Sequence, residues 1–283
     1  MGGSDMRIGF RAVKGVQIRF AVGDSPTSPR LVLTSPWPES LLAFQRVWSR
    51  LSRTAHVLAI DLPGFGRSER RTELLSPLSM SEFLVRLLDQ WDIDQPHLVC
   101  PDIGTPAALY AAANHPGRMR SLVVGSGASA YPLVVGGALK ELIEAPNLDT
   151  FRCRNPRDVV TAAMTAMGSA APPADVVEDY IESTRGDRFA QATRYVRSYP
   201  EQLQRLGGIL PTIYTPVQII AGRWDPLVPL ANADHLHAHL PNSRLDVLDT
   251  GHFTWEQAPE QYAAIVTAWV NGGYLTGSAA HQW

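Results

Sequence analysis

A chain of 283 residues is long enough to bury a large core, and in alternating strand-helix folds this length accommodates one core with an insertion. The 25 basic and 27 acidic residues leave a net charge of −2, and the bases are scattered, which excludes the basic footprint of a nucleic-acid or anionic-membrane binder. Two cysteines, Cys100 and Cys153, cannot build a disulfide framework, Met1 to Arg11 has no leader-like apolar stretch, and the most apolar run, Ser121 to Leu139, is broken by Gly125, Gly127, Pro132 and Gly136. The expectation is a soluble cytoplasmic protein with small neutral partners.

Short β-rich runs alternate with helical periodicity, which predicts a mainly parallel sheet flanked by helices. Arg7 to Val13 and Val16 to Val22 read as a hairpin around Lys14-Gly15. The strand Leu31 to Thr34 leads through Ser35-Pro36-Trp37-Pro38-Glu39-Ser40 to a helix over Leu41 to Leu51. His56 to Ile60 runs into Asp61-Leu62-Pro63-Gly64-Phe65-Gly66-Arg67-Ser68, and Ser79 to Trp91 carries apolar residues at spacings of three and four. His97 to Val99 is followed by Cys100-Pro101-Asp102-Ile103-Gly104-Thr105-Pro106, then by a helix over Thr105 to His115. Pro106 falls near the first helical position, where its missing N–H costs nothing.

After the strand Leu122 to Gly125 the alternation stops. Helical patterns near Pro156 to Met167, Ala174 to Thr184 and Asp187 to Ser198, punctuated by Pro172-Pro173 and Gly207-Gly208, predict a helical cap over 126–214 inserted into a core of 1–125 and 215–283. Strands at Val217 to Ala221 and Arg244 to Leu248, with helices at Ala231 to Leu240 and Pro259 to Val270, bring the sheet to eight strands. The tail after Gly272-Gly273 is small and polar enough to be loosely held. A homodimer is compatible with all of this.

Asp102 stands where a strand turns sharply into a helix. Such an elbow needs small residues two before and two after its centre, because a bulky side chain there collides with neighbouring backbone, and Cys100 and Gly104 supply them. A carboxylate nucleophile suits substitution at saturated carbon, giving an alkyl ester, and suits acyl transfer poorly, because attack on an ester gives a reactive anhydride. Asp225 follows the strand Val217 to Ala221, and His252 follows the strand ending at Leu248, so the chain order is nucleophile, acid, histidine. Cys100 takes the buried small position rather than that of a thiol nucleophile. His235 and His239 have metal-ligand spacing without a third ligand nearby, so a solvated helix face, no metal and no cofactor are expected.

These residues carry a resemblance to the α/β-hydrolase superfamily along nearly the whole chain, with an Asp nucleophile similar to that of epoxide hydrolases and haloalkane dehalogenases. Asp61 to Ser68 resembles the family's turn after its fourth strand, and Ser35 to Ser40 resembles the oxyanion-hole loop of epoxide hydrolases, with Ser35 and Pro36 in place of His and Gly. The resemblance implies the backbone N–H groups of Trp37 and Ile103 as oxyanion donors, and an α/β fold with an inserted helical cap. It further implies opening of an apolar epoxide by Asp102, with hydrolysis of the ester by water activated by His252 and Asp225.

The cap tyrosine that protonates the opening epoxide has Tyr195 and its neighbour Tyr199 as candidates; Tyr131 and Tyr180 match no motif, and no tyrosine falls near Asn147 to Phe151. Haloalkane dehalogenation stays open, though Ile103 occupies the place of the usual halide-binding indole. So do hydrolysis of an ester, lactone or carbon-carbon bond with Asp102 as base, and a cofactor-free cyclase, lyase or binding protein that reuses the pocket without hydrolysis.

Overall fold

A computed structural model of the chain describes residues 6–23 and 30–276. The eight strands are β1 (Arg7–Val13), β2 (Val16–Val22), β3 (Arg30–Thr34), β4 (His56–Ile60), β5 (His97–Pro101), β6 (Ser121–Gly125), β7 (Val217–Gly222) and β8 (Ser243–Leu248). They form one sheet in the order β1-β2-β4-β3-β5-β6-β7-β8, antiparallel at β1-β2 and β2-β4 and parallel elsewhere. The expected hairpin is present, its turn made by Lys14 and Gly15, both at positive φ. This is the α/β-hydrolase architecture expected from the sequence.

Strands β5, β6 and β7 are buried along their whole length, as parallel strands covered on both faces must be. The two-residue period of a strand divides their side chains between two cores. Val32, Leu98, Cys100, Leu122 and Val124 join one with α2 (Pro77–Gln90) and α3 (Gly104–Asn114), after α1 (Gln45–Thr54) in the chain. Leu31, Leu33, Val99, Val123 and Ile220 join the other with α1 and the C-terminal helices.

Between β6 and β7 lie α4 (Gly137–Glu144), α5 (Asp149–Arg152), α6 (Pro156–Met167), α7 (Ala174–Ser183), α8 (Arg188–Arg197) and α9 (Tyr199–Ile209). Three of these follow the predicted patterns; α4, α5 and α9 are additional. After β7 come α10 (Ala231–His239), α11 (Thr254–Gln257) and α12 (Pro259–Ala268). The expected start of the first core helix at Leu41 is corrected: Leu41–Phe44 is a tighter 3₁₀ turn, capped by the Ser40 hydroxyl and held by Asp61 through the Leu41 N–H at 2.7 Å. No described helix is long and apolar enough to cross a membrane. Residues 277–283, the greater part of the tail expected to be loosely held, and 1–5 lie outside the described residues.

Candidate active site

Strand β5 ends at Pro101 and α3 begins at Gly104, so Asp102 and Ile103 make the whole turn. Asp102 has a φ of 53°, in the left-handed region that a side chain enters at a cost of about 1–3 kcal/mol. Neighbouring main chain holds it there. Its N–H donates to the Gly125 carbonyl at 2.9 Å, and its own carbonyl accepts the Thr105 N–H at 3.0 Å. A Cβ on Gly104 would stand 2.3 Å from Thr34 Oγ1, which is why this position of the elbow takes no side chain.

Trp37, Asp102, Asp225 and His252 follow β3, β5, β7 and β8, all at the carboxyl end of the parallel strands, where open α/β sheets place their clefts. Asp102 is 9% exposed. Its Oδ2 accepts the Trp37 backbone N–H at 2.7 Å, and its Oδ1 stands 3.5 Å from His252 Nε2. His252 Nδ1 lies 2.7 Å from Asp225 Oδ2, while Asp225 Oδ1 accepts the Leu227 and Val228 N–H groups at 2.8 and 2.9 Å. With both Asp225 oxygens committed as acceptors, the imidazole is oriented with Nδ1–H toward Asp225 and Nε2 toward Asp102.

Burial disfavours charge on His252, but the Asp225 and Asp102 carboxylates outweigh it and raise its pKa to about 10. The two aspartates therefore favour the imidazolium form of His252. The Ile103 N–H has no acceptor among the described residues, while the Trp37 N–H is on Asp102 Oδ2.

A cavity of about 540 Å³ opens over this constellation, its wall mostly apolar and including Trp37, Leu139, Val159, Phe189 and Tyr199. The Trp37 indole stacks on Phe189 with centroids 5.2 Å apart. The candidate tyrosines part company here. Tyr195 is fully buried and its hydroxyl donates to the Ile103 carbonyl at 2.8 Å, behind the elbow, whereas Tyr199 stands on the cavity wall. Tyr180 is committed elsewhere, donating to Glu256 Oε1 at 3.0 Å, and Tyr131 is 42% exposed. Phe189 and Gln257 line the cavity without having been singled out in the sequence; an aromatic on a cap helix looks like any core residue until the helix is docked.

Two further carboxyls, Glu39 and Glu256, lie buried beside the site and also escape a reading of the sequence, although Glu39 belongs to the Ser35 to Ser40 run.

Among known proteins, the chain is 28% identical over 239 residues to a putative carbamate hydrolase, RutD, of a Caulobacter species, covering 79% of this chain and 82% of the relative. Among solved structures it is similar to Cfl2 of Burkholderia cenocepacia, with a TM-score of 0.81 at 22% identity over 94% of this chain and 96% of that one. It is also similar to epoxide hydrolase VrEH1 of Vigna radiata, with a TM-score of 0.75 at 15% identity over 94% of this chain and 98% of that one. At these identities the two structures speak for the fold. Residues 29–259 match the alpha/beta hydrolase fold family, and the chain belongs to that family.

Proposed function

We propose that this enzyme of the alpha/beta hydrolase family opens a small or medium, largely apolar epoxide through a covalent ester on Asp102. The observation that carries the reading is the Asp102 carboxylate on the wall of the apolar cavity, with Oδ2 on the Trp37 N–H and Oδ1 facing His252. An Oδ1 without a main-chain N–H donor is the better nucleophile, and Oδ2 already occupies the site where negative charge develops when water attacks the ester.

Oδ1 attacks a ring carbon and the C–O bond breaks, its electron pair going to the epoxide oxygen. Tyr199 protonates that oxygen. Burial first, then the Tyr195 phenol and the Asp102 charge, hold the Tyr199 phenol protonated well above its usual range, which keeps it a donor. Esterification removes the Asp102 charge, one of the influences that keep His252 protonated. The imidazolium then returns a proton to the Tyr199 oxygen through solvent and becomes the base.

Water attacks the Asp102 carbonyl carbon while Nε2 takes its proton, with the Trp37 and Ile103 N–H groups on the oxyanion. The ester C–O bond breaks, the departing oxygen takes the proton from His252, and the acid proton of Asp102 passes to Nε2. One epoxide and one water give a vicinal diol, and the resting charges are restored.

His252→Gln keeps the nucleophile and loses the base. Intact-mass measurement after incubation with an epoxide panel is expected to show a stable adduct, absent when Asp102 is also changed to Asn. Adducts from alkyl halides with halide release, and none from epoxides, would replace the reading by dehalogenation. No adduct from either class, with the unaltered enzyme cleaving esters, would remove the carboxylate nucleophile altogether.

A further inference from the structure

Beside the catalytic residues lies a second pair of carboxyls that the proposed reaction does not use. Glu39, two residues after Trp37, is 0% exposed, and Glu256, four residues after His252, is 2% exposed. Each acts on the ionisation of the other, so the two carboxyls are neighbours within the buried site. Each has one oxygen held from outside: the Trp255 indole donates to Glu39 Oε1 at 3.3 Å and the Tyr180 hydroxyl to Glu256 Oε1 at 3.0 Å. Both Oε2 atoms are buried with no hydrogen-bond partner among the described residues.

Two ionised carboxylates in contact in a buried site repel each other and forgo a hydrogen bond; one proton between the two Oε2 atoms removes both costs. The surrounding charges do not relieve the pair. Asp102 opposes added negative charge at Glu39, and Tyr180 faces Glu256 as a phenol that burial and the two glutamates keep neutral. Arg46 acts on Glu256, but its guanidinium donates to the main-chain carbonyls of Glu256 and Ala171 at 3.0 and 2.9 Å.

We propose that Glu39 and Glu256 share one proton, and that this bridge ties the loop presenting the Trp37 N–H to the loop presenting His252, making both glutamates positioning residues for the water-attack step. The positioning role rests on the reaction proposed above; the shared proton does not. Burial, with the Glu256 charge, lifts Glu39 well above the carboxylate range, and burial lifts Glu256 to about 7 against the pull of its hydrogen bonds and Arg46. For acids raised in this way, the folded state holds protons that the unfolded chain releases. The stability they contribute is complete below the ordinary carboxylate value and is lost as pH rises through the folded values.

Glu39→Gln supplies an N–H toward Glu256 that is not lost on raising the pH. The thermal midpoints of the unaltered protein, Glu39→Gln and Glu256→Gln are to be measured from pH 5 to 9, together with the rate of ester hydrolysis after a single turnover. The unaltered protein is expected to lose roughly 2–4 °C per pH unit relative to Glu39→Gln as the pH rises from 6 to 8. Its ester hydrolysis is expected to slow on the alkaline side, with that limb flattened in both Gln variants. Glu39→Ala is expected to hydrolyse the ester at least about tenfold more slowly at every pH, with ester formation slowed less.

Parallel melting curves for the unaltered protein and Glu39→Gln would overturn the shared proton. An unchanged pH profile of ester hydrolysis in both Gln variants would overturn the positioning role. Diverging melting curves without any ester on Asp102 would keep the shared proton and reject that role together with the reaction it serves.

Discussion

Two tyrosines beside the Asp102 elbow and cavity show how much the placement of one hydroxyl decides. Tyr195 and Tyr199 pack edge to face with centroids 5.9 Å apart, yet one hydroxyl is on the Ile103 carbonyl and the other ring is on the cavity wall. Tyr199→Phe is therefore expected to lower kcat on an epoxide by about 10²-fold or more with little change in thermal midpoint, since it removes the acid of the proposed reaction. Tyr195→Phe leaves the buried Ile103 carbonyl without its donor and is expected to cost about 1–3 kcal/mol in urea unfolding while keeping most of kcat. Kinetics and unfolding of the two variants check both, and a larger kcat loss in Tyr195→Phe would move the acid role to that residue.

The sequence narrows the donor to these two residues because both fall near the expected cap position. It cannot separate them, because the choice is made by which way each ring packs. Asp102, Asp225 and His252 are readable for the opposite reason: each sits in a loop directly after a strand, where the register of the sheet alone brings it to the same edge.

At the scale of elements, the elbow depends on the space between α3 and β3. Gly104→Ala would push a methyl to 2.3 Å from Thr34 Oγ1, a contact that must be relieved by shifting the start of α3 and with it Asp102. The expected cost is about 1–3 kcal/mol, with a marked loss of activity. Thr34 Oγ1 is buried and lacks a hydrogen-bond partner among the described residues, so Thr34→Ala alone is expected to be close to neutral. The double variant should recover part of what Gly104→Ala loses. A double-mutant cycle by urea unfolding that shows simple additivity would mean the hydroxyl is not what the methyl meets.

The same local packing explains which elements the sequence discloses. Strands and core helices are marked by continuous apolar runs and by spacings of three and four. Helix α9 is hidden, because Gly207-Gly208 reads as a break although both glycines lie within its last turn. What sustains α9 is tertiary: Gln202 accepts the Tyr110 hydroxyl at its carbonyl and the Leu78 N–H at its side chain, from α3 and α2. Strand β5 outruns its expected end at Val99, because Cys100 and Pro101 continue to pair with Val124 and Gly125.

For the molecule as a whole, the helices between β6 and β7 are fastened to the sheet partly by a polar network that no local pattern reveals. Asp179 of α7 accepts Arg19 Nη1 of β2 at 2.8 Å, the Ser40 hydroxyl at 2.6 Å and Arg67 Nη1 at 3.3 Å. Arg19 and Asp179 are 160 residues apart, and in the sequence each looks like a solvated charge. In the fold their side chains are only 5% and 8% exposed. Asp61 shares the Arg19 guanidinium at 3.5 Å, and burial, only partly offset by Arg19, raises its carboxyl to about 6.

Asp179→Ala leaves the Arg19 charge buried with Asp61 as its remaining partner in this network, a change that typically costs about 3–5 kcal/mol. Arg67→Ala removes a side chain that is 50% exposed, and solvent screening limits its expected cost to about 1 kcal/mol or less. Because Ser40 lies on the same loop as Trp37, loosening its bond to Asp179 is also expected to lower kcat more than Arg67→Ala does. Urea unfolding and kinetics of the two variants separate a buried clasp between α7 and the sheet from a surface ion pair. Equal losses in both would show that burial of Asp179 contributes nothing beyond its contact with Arg67.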